Sequence, residues 1–447
     1  MNGKQVSLSA DTLDLLKEKI LKSAIKGKLV PQLDKEPEME QIGDAPEEAP
    51  FEIPPKWKWV KLSVIASSNI GLTYKPTDLI DDLGGTPVLR ANNIQNGKLN
   101  LEGLKRVKGA NQLPKNFVHP GDLLMCARNG SKRLVGKCCL IPELKERMMF
   151  GAFMAVIRSD FSSYLHIFFS SDAFKEYLGS VNTTTINQIT QKNLLNTWVP
   201  LPPLEEQKRI VEKVDCLFSR IEIIQKSMDE VSQLSKSLKK QLLQSSISGK
   251  LVPQLDEELE VEQIGEAPEE APFRIPTKWK WVKLSSIASS NVGLTYKPTD
   301  LIDDLSGTPV LRSNNIQDGK LNLKDLKRVK YANPSPKNFV HPGDLLMCAR
   351  NGSKRLVGKC CLIPELKERM MFGAFMAVIR SDFAPYLHIF FSSDAFKKYL
   401  GSVNTTTINQ ITQKNLLNTW IPLPPLEEQN RIVEKFDKLM LEIQKLK

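Results

Sequence analysis

The octapeptide Pro200-Leu-Pro-Pro-Leu-Glu-Glu-Gln207 occurs twice in this chain, the second time as Pro422-Leu-Pro-Pro-Leu-Glu-Glu-Gln429. It ends a longer repeat, because residues 28–207 align with residues 250–429 at a constant offset of 222 positions and without a gap. About 160 of the 180 aligned positions are identical. Two near-copies of this length predict two near-identical sites, and a ligand with two-fold symmetry, such as duplex DNA, suits that arrangement.

A heptad pattern follows the first octapeptide and continues to Ile247. Pro202 and Pro203 precede the pattern and Gly249 ends it, as expected at a helix start and stop. Apolar side chains recur at steps of four and three, with Ser235 at the one missing position; they are Ile210, Val214, Leu217, Ile221, Ile224, Met228, Val231, Leu238 and Leu242. This period predicts a single helix of roughly 65 Å that carries a coiled-coil seam.

The same helix is present a second time, in two pieces at opposite ends of the chain. Leu426–Lys447 repeats residues 204–225, and Leu16–Lys28 repeats residues 238–250. The repeat is therefore circular, and both chain ends fall inside the second helix. We expect the two helices to pack antiparallel along their seams and to hold the two globules at a fixed separation.

The predicted fold class is α+β: two mixed α/β domains joined by two long antiparallel coiled-coil helices, with pseudo-two-fold, circular symmetry. The predicted segments are the N-terminal half of the split helix (1–27), the first domain (28–203), the central helix (204–249), the second domain (250–425) and the C-terminal half of the split helix (426–447).

Charge is distributed unevenly along a chain whose net charge is +11. Residues 54–203 carry 19 Lys+Arg against 10 Asp+Glu, and residues 276–425 carry 21 against 10. The Pro-containing arms 34–52 and 256–274 each carry one base and eight acids. Basic domains indicate a polyanionic partner, although a solubilising surface is the alternative, and we expect the acidic arms to lie away from the DNA-facing surface.

Composition indicates a cytoplasmic protein without a membrane partner. No apolar run approaches the roughly 20 residues that span a bilayer, and the N-terminus lacks the apolar core of a signal peptide. The seven cysteines form no CxxC pair, and with only four histidines they offer no zinc framework. We therefore predict reduced thiols and no metal site.

Five motifs occur in the same order in both halves. In the first half they are Ile53-Pro-Pro-Lys-Trp-Lys-Trp-Val-Lys-Leu62, the strand-like Thr86-Pro-Val-Leu-Arg-Ala-Asn-Asn-Ile-Gln-Asn-Gly97, Pro120-Gly-Asp-Leu-Leu124, Thr185-Ile-Asn-Gln-Ile189 and the octapeptide at 200–207. Doubled around a heptad helix, this set resembles the specificity subunit of a type I restriction–modification system, and the resemblance covers nearly the whole chain.

The resemblance implies a DNA-binding subunit without catalytic activity. Each domain would be a target-recognition domain for double-stranded DNA, and the helices would dock two methyltransferase subunits. It leaves open whether two restriction–translocase subunits also join. Adenine methylation, ATP hydrolysis and cleavage would belong to these partners, so the chain itself would hold no cofactor; the partners would bind S-adenosylmethionine and, where a motor subunit is present, ATP with Mg²⁺.

Three clusters of polar side chains on loops are the DNA-binding candidates, since Arg pairs with guanine, Asn and Gln pair with adenine, and Lys and Ser hold phosphate. In the first domain they are Arg90, Asn92, Asn93 and Gln95; Arg128, Asn129, Ser131, Lys132 and Arg133; and Thr183, Thr184, Thr185, Asn187 and Gln188. Their mates in the second domain are Arg312, Asn314, Asn315 and Gln317; Arg350, Asn351, Ser353, Lys354 and Arg355; and Thr405, Thr406, Thr407, Asn409 and Gln410. Secondary candidates are Tyr74, Lys75, Lys105 and Arg106. A solvated loop is the alternative for any one of these residues.

The repeat also predicts what is read. Between residues 115 and 198, only Ser162, Ser163 and Glu176 differ from their mates, and the difference nearest the clusters is Ala91 against Ser313. Both domains should therefore read the same half-site in inverted orientation, which gives a gapped palindrome. The family commonly carries two different recognition domains, so this chain departs from the usual asymmetric target.

Other readings of single motifs are less favoured. Trp57 and Trp59 alternate with lysines and are predicted to pack in the core rather than to stack on bases. The stretch 130–138 resembles a Walker A loop, but it has five residues between its glycines and a cysteine where Mg²⁺ needs a hydroxyl. Asp122 with Glu143 imitates a metal nuclease, yet Asp122 is predicted to be structural.

An alternative of another class remains open at this point. A stand-alone DNA-binding regulator or architectural protein could use the same scaffold. It predicts tight, specific DNA binding by the isolated chain, whereas the specificity-subunit reading predicts that the methyltransferase co-purifies and is needed for such binding.

Overall fold

A computed structural model describes residues 9–80, 84–108, 113–181, 187–330, 335–403 and 409–446. The chain divides into two units, Met1–Ser227 and Met228–Lys447, and the division falls within one long helix. Both units contain sheets and helices, so the predicted α+β class is confirmed at this level.

The first unit begins with a helix and then alternates short strands with loops. Its helices are α1 (Ala10–Ile25), α2 (Leu62–Ile65), α3 (Ser162–Ser170), α4 (Asp172–Val181), α5 (Gln191–Leu195) and the start of α6 (Leu204–Ile247). Its strands are β1 (Lys58–Lys61), β2 (Ser67–Ile70), β3 (Leu79–Ile80), β4 (Thr86–Leu89), β5 (Ile94–Gln95), β6 (Lys98–Leu99), β7 (Lys105–Val107), β8 (Leu123–Cys126), β9 (Cys138–Leu140), β10 (Met149–Phe150), β11 (Met154–Arg158) and β12 (Trp198–Leu201).

The second unit repeats this order. Its strands are β13 (Lys280–Lys283), β14 (Ser289–Val292), β15 (Leu301–Ile302), β16 (Thr308–Leu311), β17 (Ile316–Gln317), β18 (Lys320–Leu321), β19 (Lys327–Val329), β20 (Leu345–Cys348), β21 (Cys360–Leu362), β22 (Met371–Phe372), β23 (Met376–Arg380) and β24 (Trp420–Leu423). Its helices are the end of α6, α7 (Ala384–Ser392), α8 (Asp394–Val403), α9 (Gln413–Leu417) and α10 (Leu426–Lys445).

An antiparallel sheet forms the centre of each unit. Its strand order is β2-β11-β8-β9 in the first unit and β14-β23-β20-β21 in the second. Every residue of β8 is buried, which explains the continuous apolar run Leu123–Cys126 that the sequence predicts as a strand. Gly121 makes the predicted turn before it, with φ of 85°.

A second sheet, β10-β4-β7-β3, supports the loops that carry the first candidate cluster. The strand-like stretch 86–97 is only partly a strand: β4 ends at Leu89, a 3₁₀ turn covers residues 91–93, and the hairpin β5–β6 follows. Asn96 and Gly97 connect that hairpin with φ of 50° and 73°, the left-handed conformation that a two-residue hairpin requires.

The strand pair β1–β12 anchors the start of the long helix. Trp57 and Trp59 are only 2% and 6% exposed, which confirms that they pack in the core. The indole Nε1 of Trp57 donates a hydrogen bond to Oε2 of Glu206 at 3.0 Å. Glu206 is fully buried in the first turn of α6, so the octapeptide joins the segment before β1 to the helix through this contact.

Helix α6 extends over Leu204–Ile247, the bounds that the heptad pattern predicts. Its seam is buried near the two ends of the helix, as at Ile210 and Leu242, whereas Ile224 and Val231 near the middle are 38% and 39% exposed. In the second unit, the end of α6 packs in the same hydrophobic core as the start of α10. The two pieces of the predicted second helix, α1 and α10, are both helical.

The acidic arms pack on the first strand and the helix start of their own units. The ammonium group of Lys56 donates to the carbonyl oxygens of Leu33, Asp34 and Glu36 at 2.7–3.1 Å. The guanidinium of Arg209 donates three hydrogen bonds to the carboxylate of Glu36, at 2.7–3.1 Å. Lys56, one of the lysines that alternate with the tryptophans, therefore holds the arm.

The cysteines are free thiols, as predicted, and all but Cys216 are buried. Burial raises the pKa of Cys138 and that of Cys139 to about 12, so neither thiol is a nucleophile at neutral pH. Within the described parts of the chain, no helix combines the length and the apolar character needed to cross a membrane.

Candidate nucleic-acid interface

Two of the predicted clusters meet at one surface in each unit. Arg128 directly follows the central strand region and forms an antiparallel bridge with Gln188. The backbone N–H of Asn129 donates to the carbonyl of Asn187 at 3.1 Å, and the Asn187 amide donates to the carbonyl of Gly130 at 3.1 Å. Loops that are almost 60 residues apart in sequence thus form one continuous surface.

The threonines of the third cluster lie outside the described residues. They are Thr183, Thr184 and Thr185 in the first unit and Thr405, Thr406 and Thr407 in the second. Their flanking residues, Asn187 with Gln188 and Asn409 with Gln410, are described and belong to the surface.

Phe153 is a surface residue that sequence reasoning missed. Its side chain is 58% exposed, and the Arg128 guanidinium lies over its ring at 5.3 Å from the ring centre. The contact limits the rotation of the guanidinium and leaves its edge nitrogens available for paired hydrogen bonds. Phe375 and Arg350 have the same geometry at the same distance. An aromatic residue inside the apolar stretch 149–157 gave no sequence signal that it would face solvent.

The first cluster opens into a cavity of about 870 Å³ beside this surface. Arg90, Asn92 and Gln95 line the cavity together with Asn129 and the secondary candidate Tyr74. Burial raises the pKa of the Tyr74 hydroxyl, so this group stays a neutral hydrogen-bond donor. The cavity therefore combines a guanidinium, three amides and a phenol, groups suited to base edges and phosphate.

Asn93 and Asn315 are corrections to the predicted set. Asn93 is fully buried; its side-chain oxygen accepts from the Arg90 N–H at 3.0 Å and its amide donates to the Asn100 carbonyl at 3.0 Å. Asn315 makes the same two bonds. Both groups of each amide are used inside the loop, so these residues shape the loop and do not face a ligand.

Lys132 and Arg133 face a different cavity from Asn129. They lie in a 3₁₀ turn, residues 132–134, and line a cavity of about 640 Å³ that also contains Lys175. Their mates Lys354 and Arg355 line a cavity of about 810 Å³. Ser131 stays exposed, and its backbone N–H donates to the Asn129 side chain at 3.0 Å; Ser353 and Asn351 repeat this contact.

Arg106 is a further correction among the secondary candidates. Its side chain is only 14% exposed, and it donates to the Gly85 carbonyl at 2.8 Å and to the Glu146 carboxylate at 2.6 Å. These contacts hold the second sheet against a neighbouring turn, so Arg106 is structural.

The residues of the nuclease-like and Walker-like motifs have structural roles. Asp122 is buried, accepts from the Arg158 guanidinium at 3.0 Å and from the His119 N–H at 2.9 Å, which supports its predicted structural role. The loop after Gly130 leads through a single 3₁₀ turn into strand β9 and not into an α-helix, so it cannot form a Walker A phosphate cradle. Among the described residues, no group of three or more His, Cys, Asp or Glu side chains is placed to hold a metal ion.

The second unit repeats the surface and adds contacts of its own. The Asn351 N–H donates to the Asn409 carbonyl at 3.1 Å, and the Asn409 amide donates to Gly352 at 2.9 Å. In addition, the Asn322 amide donates to the side-chain oxygen of Gln317 at 2.6 Å, and the Asn351 amide donates to the Ser313 hydroxyl at 3.1 Å. Ala91 occupies the equivalent position in the first unit and offers no hydroxyl.

These features define a class: a chain of two repeated α+β units, each with one polar, arginine-bearing surface suited to nucleic acid. The family model of the type I restriction modification DNA specificity domain matches residues 54–233 and again residues 276–447. The chain therefore belongs to this family. A role in DNA recognition follows, and the stand-alone regulator is not favoured.

Individual relatives agree with this assignment. The type I restriction enzyme EcoKI specificity subunit of Escherichia coli K12 is 28% identical over 407 residues, which cover 87% of this chain and 82% of the relative. The EcoBI specificity subunit of Escherichia coli is 24% identical and covers 85% and 79%.

Solved structures show the same fold. A chain from a study of complex assembly and conformational transition of the type I R-M system has a TM-score of 0.64 at 23% identity, with 89% of this chain and 93% of that chain covered. The HsdS subunit from Thermoanaerobacter tengcongensis has a TM-score of 0.53 at 23% identity, with 89% and 92% covered.

Proposed function

We propose that this chain is the non-catalytic specificity subunit of a type I restriction–modification complex and that its two units read the two halves of a gapped palindrome. The observation that carries the proposal is the match between the two surfaces. Arg128 and Arg350 lie over Phe153 and Phe375 at the same 5.3 Å. The backbone hydrogen bonds that Asn129 and Asn351 donate to the neighbouring loops are both 3.1 Å long.

The surface chemistry suits readout of the major groove by loops. A guanidinium fixed by an aromatic ring presents two parallel N–H groups, the geometry that O6 and N7 of guanine accept. Asn92 and Gln95 are exposed beside it and are suited to adenine. Because both units offer the same groups, each should accept the same base sequence.

The helices set the distance between the two half-sites in this proposal. The heptad seam of α6 and the helical pieces α1 and α10 support two antiparallel coiled-coil helices with pseudo-two-fold symmetry. The length of that spacer would fix how many base pairs remain unread.

The helices would also dock two methyltransferase subunits, and two restriction–translocase subunits could join them. S-adenosylmethionine, and ATP with Mg²⁺ where a motor is present, would be bound by these partners. The partner subunits would carry out adenine methylation and cleavage, and this chain would position them at the target sequence on the DNA.

Methylome sequencing tests the proposal directly. A host without other adenine methyltransferases would express the chain with its methyltransferase partner, and a matched host would express the partner alone. We expect methylation at one gapped palindrome only when the chain is present. Two unrelated half-sites would refute the palindrome while leaving the specificity role intact; no added methylation would refute the role itself.

Co-purification separates the subunit from a lone DNA-binding protein. We expect the tagged chain to retain the methyltransferase, and expect the pair to bind the target duplex far more tightly than the chain alone. Equally tight, specific binding by the isolated chain would contradict the proposal.

A further inference from the structure

The cavity of about 810 Å³ in the second unit has a strong excess of positive charge. Seven basic side chains line it, against two carboxylates. Lys236, Lys239 and Lys240 come from α6, where spacings of three and four residues place them on one face of the helix. Lys354 and Arg355 come from the 3₁₀ turn of residues 354–356 on the recognition domain.

Two of these seven bases share one carboxylate. Asp394 accepts from Lys240 and from Lys397, both at 3.0 Å, and thereby links α6 to the first turn of α8. Among the described residues, Lys236, Lys354 and Arg355 form no ion pair, and all three are exposed. Like charges three and four residues apart destabilise a helix, and a bound anion would relieve that repulsion.

The cavity borders the polar surface formed by the loops of Arg350 and Asn409, here called the reading surface. Lys354 and Arg355 directly follow the loop of Arg350 and Asn351, and Gly401 at the end of α8 leads towards the third cluster. A polyanion that lies on the reading surface would therefore have a charged cavity beside it. Its walls also contain apolar residues such as Leu243 and Val357, against which the lysine stems can pack.

The first unit lacks much of this charge. Its equivalent cavity of about 640 Å³ is lined by four basic side chains. The repeat mates of Lys236 and Lys240 are Asp14 and Glu18. Lys398, beside Lys397, likewise replaces Glu176. At or near this cavity, the second unit thus has lysines at three positions where the first unit has acids.

We infer that the cavity of the second unit binds DNA backbone phosphates and that the two units grip a symmetric target unequally. This inference rests on the proposed function. Base reading is the same in both units, whereas the second unit adds phosphate contacts through α6 that the first unit does not make. The added contacts are independent of sequence and sensitive to salt.

The chain supplies its own exchange experiment. Lys236→Asp with Lys240→Glu gives the second unit the residues of the first, and Asp14→Lys with Glu18→Lys does the reverse. The matched control is Lys145→Glu with Lys367→Glu, which changes the net charge as much as the first exchange does, at exposed positions outside both cavities. A thermal melt checks folding, and Lys236→Asp alone serves if the double variant unfolds.

The readout is the affinity of the complete methyltransferase complex for its target duplex over a range of salt concentrations. The slope of log K against log salt is negative, and each lost phosphate contact reduces its magnitude by about 0.9, so the first exchange should reduce the magnitude by about 2. The reverse exchange should make the slope steeper by a similar amount, and the control should change it less. A slope that the first exchange and the control alter equally overturns the inference.

Two further outcomes identify the cause of a failure. If millimolar inorganic phosphate stabilises the wild type but not the exchanged variant, while the salt slopes agree, the cavity binds a free anion and the inference is wrong. The methylated sequence should be unchanged by the exchange. If the wild-type complex shows no sequence preference at all, the proposed function fails; if the preference persists without a slope change, only this inference fails.

Discussion

The loops that carry the DNA-binding candidates, here called the reading loops, are alike in the two units, whereas some ion pairs of the helices differ. The backbone hydrogen bond that joins the loop of Arg128 to the loop of Asn187 recurs in the second unit. The N–H groups of Asn129 and Asn351 donate it, and both bonds are 3.1 Å long. Two exposed ion pairs that involve α6 do not recur: Lys98 pairs with Glu222 only in the first unit, at 2.6 Å, and Lys240 pairs with Asp394 only in the second, at 3.0 Å.

The physical reason lies in the different costs of change. An exposed ion pair contributes about 0–1 kcal/mol, so helix surfaces can exchange charges without loss of fold. A reading loop holds its side chains through buried amides such as Asn93, and each lost bond there leaves a buried group unpaired at a cost of about 1–3 kcal/mol. Differences between the units therefore collect where they disturb neither the loops nor the core.

The largest expected effect tests whether the two cores are equivalent. Trp57→Ala and Trp279→Ala each remove a side chain that is 2% exposed, and each should lower the free energy of unfolding by about 3–5 kcal/mol. Equilibrium denaturation of the full chain measures both, with Trp57→Phe as the milder control. A large difference between the two alanine variants would show that the surroundings of the two cores differ energetically.

The next effect concerns base reading. Arg128→Ala with Arg350→Ala should relax discrimination at one symmetric base position by about 1–3 kcal/mol per contact. Arg128→Ala alone should relax only one half of the target. Competition binding with single-base variants of the target gives the measurement.

A matched control for that experiment exists in the same unit. Arg147 also lies over a phenylalanine, Phe117, at 4.0 Å, but it is outside the three clusters. Arg147→Ala should leave discrimination unchanged. If the paired Arg128 and Arg350 variant weakens binding uniformly across all sequences, these arginines contact phosphates and not bases.

A smaller effect tests a contact that occurs only at the surface of the second unit. Ser313→Ala removes the hydroxyl that accepts from the Asn351 amide at 3.1 Å, and should cost about 0.5–1.5 kcal/mol of stability. The target sequence should stay the same, because Ala91 already serves the first unit. Denaturation and methylome sequencing of the variant check the two statements, and a changed half-site would show that Asn351 orientation decides the base.

Much of the fold could be predicted from the periodicity and the apolar runs of the sequence. The bounds of α6, the strand Leu123–Cys126 and the burial of Trp57 follow from patterns that report burial directly. The coiled-coil pairing of the helices stays a prediction, since the middle of the seam at Ile224 and Val231 is partly exposed.

Loop side chains were harder to predict because their direction depends on tertiary contacts. The sequence placed Asn129 and Lys132 in one cluster, yet the 3₁₀ turn directs Lys132 to another cavity. It also counted Asn93 as a DNA contact, although the amide closes its own loop. Phe153 was missed for the converse reason, since nothing in an apolar stretch marks the one ring that faces solvent.

The smallest expected effect is a change in pH dependence at the start of the helices. Burial raises the pKa of Glu206 and that of Glu428, against the opposing hydrogen bonds from Trp57 and Trp279. A carboxyl whose pKa is raised by folding resists ionisation in the folded state. Its ionisation therefore costs stability as the pH rises above the ordinary value of 4.5, and that cost is absent at lower pH.

Glu206→Gln should remove this cost in the first unit, because the amide oxygen can still accept from the Trp57 indole and carries no charge. We expect the variant to lose less stability than the wild type between pH 4.5 and neutrality, and expect Glu428→Gln to behave in the same way. Denaturation curves at several pH values measure the difference, with exposed Glu205→Gln as the control. A variant that is uniformly less stable, with an unchanged pH dependence, would show that folding does not shift the pKa of Glu206, so that its hydrogen-bond donors offset the effect of burial.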